Sequence, residues 1–494
     1  MPYSFVEIEK EKTWVIKAVF VFLLVFYFLV AELLWIVTRM FFSSQSPFAG
    51  PAQLFSPGEF VIVFAVALAV ASLHWYYSTR NMIADLTNLL DARAPDLGDT
   101  YHKMFRNVVD EVSIATGGRK IGCYVVPSSG MNAFAVSDLE GNSAIGVTEG
   151  LLSRLSRSQL EAVVGHEAAH IASGDSFSTT VICSLFGIYG ALLEGINRIT
   201  LGRSGDSSKE RVSVGARFGA YLLVVYLVLL VVKGANHLLN MFISRQREYR
   251  ADAVAVRLTR DPVALSEALY LISRGWRGVG VIPGSLSPIF ITAPDTDSLS
   301  ESEGIFSDLF STHPPFKNRL NILLDMAHSD LQSLKSGIRT APKTVVEEEP
   351  VELEGLSVDA RRGGPFCPKC GQALSEISYE GAPAMKCRFC GGVLAASDVA
   401  TRIIARENYL FPGEIRESSE ALMKSHWREN PPNFFNVTDK LACPRCREAM
   451  ERGFFTYGLP VIIDKCFKCG NIWFDKGELE MLQYLIEKSR NGEL

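Results

Sequence analysis

The sequence predicts a mainly α protein with multi-span membrane helices, a mixed α/β unit, and two small β modules near the C-terminus. Three observations predict it. Apolar residues make up an ordinary 48% of the 494, but they gather into a few long runs in the first half. Short β-branched stretches bounded by Pro and Gly lie among helical periodicities after those runs. Eight cysteines fall beyond residue 360 in four Cys-x-x-Cys pairs, leaving only Cys123 and Cys183 elsewhere. A net charge of −5 excludes a global basic field for a phosphate backbone.

Taken in chain order, residues 1–80 read as a two-span anchor. The first apolar segment covers about Thr13 to Thr38, and the second, Phe60 to Tyr77, has no acid, Lys or Arg, matching the length of a bilayer core. The N-terminal flank mixes acids and bases and lacks a small-residue cleavage site, so an uncleaved anchor is expected. Two shorter segments follow, 176–193 and 218–232. The linker from Phe41 to Gly58 has no Lys or Arg, whereas Lys10, Lys12, Lys17, Arg80 and Arg93 flank the first two spans. That asymmetry places the N-terminus and residues 80–175 in the cytoplasm. Arg198, Arg203, Lys209, Arg211 and Arg217 lie between segments three and four. Either these segments form a hairpin that does not fully cross, or their loop is translocated against the rule.

Residues 81–340 form the mixed α/β unit together with the two shorter segments. Ile121–Val126 and Ala133–Val136 read as strands separated by a Pro-Ser-Ser-Gly turn. His166-Glu-Ala-Ala-His170 follows on a predicted helix whose start is marked by Ser158 and Glu161 at capping-box spacing. One helical turn separates the histidines, so both imidazoles can reach one cation, with Glu167 beside them to accept a proton from water. A zinc site needs a third protein ligand. Glu248 and Asp252 lie four apart on one helical face, where the first can bind metal and the second can accept the free N–H of a ligating imidazole. Read alone, Arg247, Glu248 and Arg250 fit an ordinary charged helix face better than a metal site.

An acidic linker, 341–364, leads to two cysteine modules, 365–395 and 441–494, joined by a connector, 396–440. Cys367, Cys370, Cys387 and Cys390 form one Cys-x-x-Cys…Cys-x-x-Cys set, and Cys443, Cys446, Cys466 and Cys469 the other. Four thiolates close a tetrahedron, so these zinc ions are expected to be structural, and thiolates kept reduced point to the cytoplasm. Glycines follow three of the four knuckles, at 371, 391 and 470.

Four separated motifs carry a resemblance to a known family. They are Met131-Asn-Ala-Phe-Ala135, His166-Glu-x-x-His170, Ser244-Arg-x-x-Glu248-x-x-Ala251-Asp252 and His313-Pro-Pro-x-x-x-Arg319. Over about residues 10–330 the chain resembles the HtpX-like membrane zinc metalloproteases, of the same clan as the CaaX prenyl endopeptidases. The resemblance implies a zincin-like metallopeptidase domain with Glu167 as base and His166, His170 and Glu248 as zinc ligands. It further implies His313 or Arg319 as stabiliser of the tetrahedral intermediate, Asn132, Ala133 and Phe134 as substrate contacts, and Asp252 behind a ligand. A bacterial inner membrane, protein or peptide substrates and a quality-control role come with it. The alternatives are a CaaX-type processing peptidase, or a membrane scaffold whose ribbons bind proteins.

The second cysteine module resembles the transcription-factor-IIB zinc ribbon. Acids and bases nearly balance between Lys440 and Lys476, so no nucleic acid is expected there and a protein partner is. One catalytic and two structural zinc ions complete the expectation.

Overall fold

The computed structural model describes residues 5–42, 57–185, 245–274, 289–291, 316–338, 365–379, 381–406, 411–425, 440–456 and 459–490. His313, the fourth apolar segment and the acidic linker lie outside them.

Helices α1 (Phe5–Phe42) and α2 (Pro57–Thr79) contain the first two apolar runs. Among the described residues these two are long and apolar enough to cross a bilayer, Ile16–Leu33 at mean hydropathy 2.4 and Pro57–Thr79 at 1.9. Their packing is inverted relative to a water-soluble pair. Ala71 is buried against Val19 and Leu23 of α1, while Phe60, Val61, Ile62, Val66 and Leu73 face outward. Lipid tails solvate large apolar side chains as well as a protein core does, so helices in lipid keep small residues for their contacts. Tyr27 Oη lies 2.9 Å from His74 Nδ1, within hydrogen-bond distance across the pair.

After α3 (Met82–Leu89) and α4 (Thr100–Ala115) comes a three-stranded sheet. Strands β1 (Ile121–Val126) and β2 (Ala133–Ser137) fall where the sequence placed them, and β3 (Ser143–Thr148) is a third that it did not mark. Gly146 sits mid-strand and dilutes the β signal, because the Phe134 ring crosses it: a Cβ there would lie 2.1 Å from Phe134 Cζ. The strand order is β1-β3-β2, with β1 parallel and β2 antiparallel to β3. Strand β2 is therefore an edge, and residues 289–291 pair onto part of it. Phe290 bridges Phe134, and Ile291 N–H donates to Ala133 O at 3.0 Å.

A short helix, α5 (Glu149–Arg154), leads into α6 (Arg157–Ser173), which carries the two histidines. The capping box of α6 is Ser156 with Gln159, two residues ahead of the expected Ser158 and Glu161. Gln159 serves where a Glu was sought, since its Oε1 accepts Ser156 N–H while its Nε2 donates to buried Glu267 at 2.8 Å. Gly174, at φ 78°, ends the helix, and residues 175–185 start another. That next helix buries Phe177, Val181 and Leu185 against α1 and α2. Helix α7 (Arg245–Thr259) packs along α6 more extensively than any other helix does, with Ala255 facing Gly165. Helices α8 (Pro262–Arg274) and α9 (Phe316–Met326) complete the shared core around Val163, Val164, Leu265 and Leu269.

The cysteine modules, expected as separate units, share one six-stranded sheet, with β4 (Ser375–Tyr379) and β5 (Ala382–Lys386) at one end and β7 (Glu451–Thr456) and β8 (Leu459–Lys465) at the other. Strand β6 (Val393–Ala396) of the first pairs antiparallel with β9 (Asn471–Phe474) of the second, Val393 opposite Phe474 and Leu394 opposite Trp473. The helices after them, α11 (Ser397–Ala405) and α13 (Glu478–Arg490), bury Ile403, Ile404, Leu482 and Ile486 in a common core. A module of some thirty residues buries too little surface to be robust alone, and pairing the two enlarges the core. Helix α10 (Leu331–Gly337) precedes the ribbons and α12 (Gly413–Lys424) links them.

Helix α11 also docks on the α/β unit. Arg402 reaches Asp96 at 3.1 Å and Glu149 at 3.3 Å, Arg406 pairs with Asp99, and Ser153 Oγ donates to Ala405 O at 2.8 Å.

Candidate active site

His166 and His170 are one turn apart on α6 and present their Nε2 atoms 3.2 Å from one another. Glu248 arrives from the first turn of α7, with Oε2 3.5 Å from His166 Nε2 and Oε1 3.7 Å from His170 Nε2. Ligands at zinc distances of about 2.0–2.1 Å in a tetrahedron stand about 3.4 Å apart, so this buried donor set fits a zinc ion. Glu167 is buried beside them and lines the same cleft. Burial raises its carboxyl above the usual range, which suits a base working near neutral pH.

Two carboxylates face the imidazoles from behind. Asp252, one turn after Glu248, lies 2.9 Å from His166 Nδ1. Burial opposes a positive charge on His166, but the carboxylates of Asp252 and Glu248 outweigh it, so the surroundings favour a cation at this ring. The second carboxylate was not foreseen. Asp175, the residue after the Gly174 turn, lies 3.6 Å from His170 Nδ1 and receives Arg250 at 2.8 Å and Arg247 at 3.4 Å. Those arginines are the ones that read as surface charge. The available signal was an acid five residues after His170, just past a glycine able to turn the chain.

Arg319, a candidate for steadying the tetrahedral intermediate, is 1% exposed and does not line the cleft. Its Nε and Nη2 donate to the two Asp252 oxygens at 2.8 and 2.7 Å, and Nη1 meets Glu248 Oε2 at 3.0 Å. It orients the carboxylates rather than facing a substrate. His313 lies outside the described residues.

None of the three substrate-binding candidates lines the cleft. Asn132 turns its Oδ1 onto Ala133 N–H, and its carbonyl accepts Thr148 N–H, which fixes the bend into β2. Ala133 and Phe134 are engaged by residues 289–291. Ala135, one residue further along, does line the cleft, opposite His166, His170 and Arg247.

The eight knuckle cysteines form two clusters. Sulfur pairs stand 3.4–3.5 Å apart, far beyond a disulfide bond of about 2.05 Å and near the ~3.8 Å edge of a zinc–thiolate tetrahedron. Each knuckle closes with a left-handed residue whose N–H returns to the first cysteine carbonyl. Three are the glycines at 371, 391 and 470, and the fourth is Arg447 at φ 64°. Burial pushes the Cys443 thiol up to about 12, whereas at Cys469 burial is outweighed by Asn471, whose Nδ2 donates to its Sγ at 3.2 Å, and by the neighbouring sulfurs, which bring it down.

Two helix-borne histidines, a converging glutamate, a buried glutamate between them and two apolar helices define a membrane-bound metallopeptidase. Comparison with known proteins agrees. Residues 99–327 match the model of peptidase family M48, and residues 442–483 match a transcription factor zinc-finger model. A protease HtpX homolog of Dictyoglomus thermophilum is 30% identical over 321 residues, 65% of this chain and 93% of the relative. Another from Dictyoglomus turgidum is 29% identical with the same coverage, and one from Streptococcus equi subsp. equi is 27% identical over 53% of this chain and 86% of its own. The chain belongs to peptidase family M48, among the HtpX-type proteases, and is a membrane zinc endopeptidase. The family match ends at residue 327, ahead of the ribbons.

Proposed function

We propose that the protein cleaves internal peptide bonds of membrane proteins or unfolded segments at the membrane surface, with Glu167 as base and His166, His170 and Glu248 as zinc ligands. One observation carries this reading. Residues 171–247 separate Glu248 from the histidine pair, yet its carboxylate converges on both Nε2 atoms. His166, His170 and Glu248 would hold the zinc ion, which would supply Lewis acidity to the scissile carbonyl and to a bound water. Glu167 takes the proton of the attacking water and returns it to the leaving amine. An extended peptide adds to the β2 edge at Ala135, because the stretch at Ala133 and Phe134 already pairs with residues 289–291. His313 remains the candidate to steady the tetrahedral intermediate.

The surrounding assignments belong to the same proposal. Residues 1–80 anchor the chain, 81–340 form a zincin-like domain that includes the apolar segments 176–193 and 218–232, and the ribbons add two structural zinc ions to the catalytic one. The catalytic and ribbon units face the cytoplasm of a bacterial inner membrane, where the ribbons take a protein partner. The CaaX-type reading is less favoured, since prenyl endopeptidases of that clan carry more spans than four.

Glu167→Gln is the test. Purified variant should keep zinc at the active site and lose proteolysis of an unfolded protein substrate by at least about 100-fold, the lower end of what a general base contributes. Proteolysis near the parental rate would remove Glu167 from its role.

A further inference from the structure

We propose that Asp175, clasped by Arg247 and Arg250, is the positioning carboxylate of His170, so that each zinc-binding imidazole has its own carboxylate–arginine brace. This rests on the zinc-site reading above. The first brace is Asp252 with Arg319 behind His166. The second is built the same way from different elements. Asp175 Oδ2 faces His170 Nδ1 and also takes Ser173 Oγ–H at 2.6 Å and Arg250 Nη2–H at 2.8 Å, while Oδ1 faces Arg247 Nε.

Three physical arguments favour a positioning role. A metal-binding imidazole donates its other N–H to an acceptor that fixes its tautomer and ring angle. Among the described residues Asp175 is the acid within ion-pair reach of His170 Nδ1. His170 also needs the help more, being 15% exposed where His166 is 1%. Finally, Arg250 Nη2 at 2.8 Å and Arg247 Nε at 3.4 Å set two guanidinium cations against the carboxylate, so that it faces the ring as an anion.

Topology gives the brace a second consequence. Asp175 stands immediately before the third apolar segment, and Arg247 and Arg250 follow the fourth. The ion pair therefore joins the two chain ends at the base of the hydrophobic excursion, beside the point where Glu248 enters the site. The helix that Asp175 begins packs on α1 and α2 through Phe177 and Val181. Asp175 is thus one link between the metal site and the helix that packs on α1 and α2.

The test uses full-length protein in the Glu167→Gln background, so that no variant digests itself. Zinc per chain is measured against graded chelator, with ribbon zinc as an internal monitor of folding and Glu248→Ala as reference. Asp175→Asn keeps the shape and removes the charge, and Asp175→Ala removes both. Each should weaken active-site zinc by about 10–100-fold and Arg250→Ala by less, with ribbon zinc unchanged. A purely space-filling role predicts instead that Asp175→Asn binds zinc like its parent. Parental zinc affinity in Asp175→Asn, with zinc lost from Glu248→Ala, overturns the inference. If Glu248→Ala also keeps its zinc, the ligand assignment beneath it is what fails. Should Asp175→Ala lose ribbon zinc through misfolding, Asp175→Asn alone decides.

Discussion

Replacing Arg319 by alanine separates two roles that its place in the sequence allows. As a stabiliser of the tetrahedral intermediate it would face substrate, and its loss would lower kcat while zinc and stability stayed intact. The structure places it behind the site, giving two parallel hydrogen bonds to Asp252 at 2.8 and 2.7 Å and a third contact to Glu248 at 3.0 Å. Removing one partner of such a buried pair leaves the other charge uncompensated and costs about 3–5 kcal/mol. Two carboxylates are exposed to that penalty here, although bound zinc offsets part of it at Glu248. Arg319→Ala should therefore melt well below the parent and lose active-site zinc at about 10–100-fold lower chelator concentration. Arg319→Lys should rescue little, because one ammonium cannot span both Asp252 oxygens in the planar fork that guanidinium provides. The assay is thermal unfolding in detergent together with zinc retention, each with and without added zinc. Unchanged melting and parental zinc affinity alongside a lost kcat would refute the positioning role and restore the direct one.

Further outcomes follow from other parts of the molecule. Metal analysis of purified protein should give three zinc ions per chain; a single ion with oxidised knuckle cysteines would overturn both ribbon sites. Arg402→Ala strips a guanidinium from buried Glu149 and Asp99, so ribbon docking should weaken by on the order of 3 kcal/mol and limited proteolysis should release the ribbon unit sooner. An unaltered digestion pattern would mean that the apolar contacts of α11 suffice. Burial raises the Glu478 carboxyl from 4.5 to about 7, so the folded ribbon unit favours the protonated form. Its stability should then fall as pH rises from about 4.5 to about 7, and Glu478→Gln should flatten that part of the melting profile. A slope unchanged in Glu478→Gln would assign the dependence to another group.

Much of the site was legible because its signals are local. Histidines four apart on a helix meet the same point in space whatever surrounds them. A run of eighteen uncharged apolar residues has few homes but a bilayer, and cysteine knuckles carry their turn with them. The cap of α6 was misplaced by two residues because Ser156 and Ser158 offer competing starts, and Gln159 chose between them through a bond to Glu267, over a hundred residues away. Strand β3 escaped notice for a related reason: its central glycine is explained only by the Phe134 ring lying across it.

The sequence by itself determined which residue types the metal centres would use, the two strongest apolar helices and the fourfold pattern of cysteines. Tertiary structure decided the rest. It brought Glu248 to the histidines and turned Arg319 inward onto Asp252. It converted Arg247 and Arg250 from apparent surface charge into partners of Asp175, and merged two ribbons into one sheet docked by Arg402. The physical reason is the range of the interactions. Helical spacing and knuckle turns are fixed within a few residues, whereas a buried carboxylate finds its cation only after the chain between them has packed.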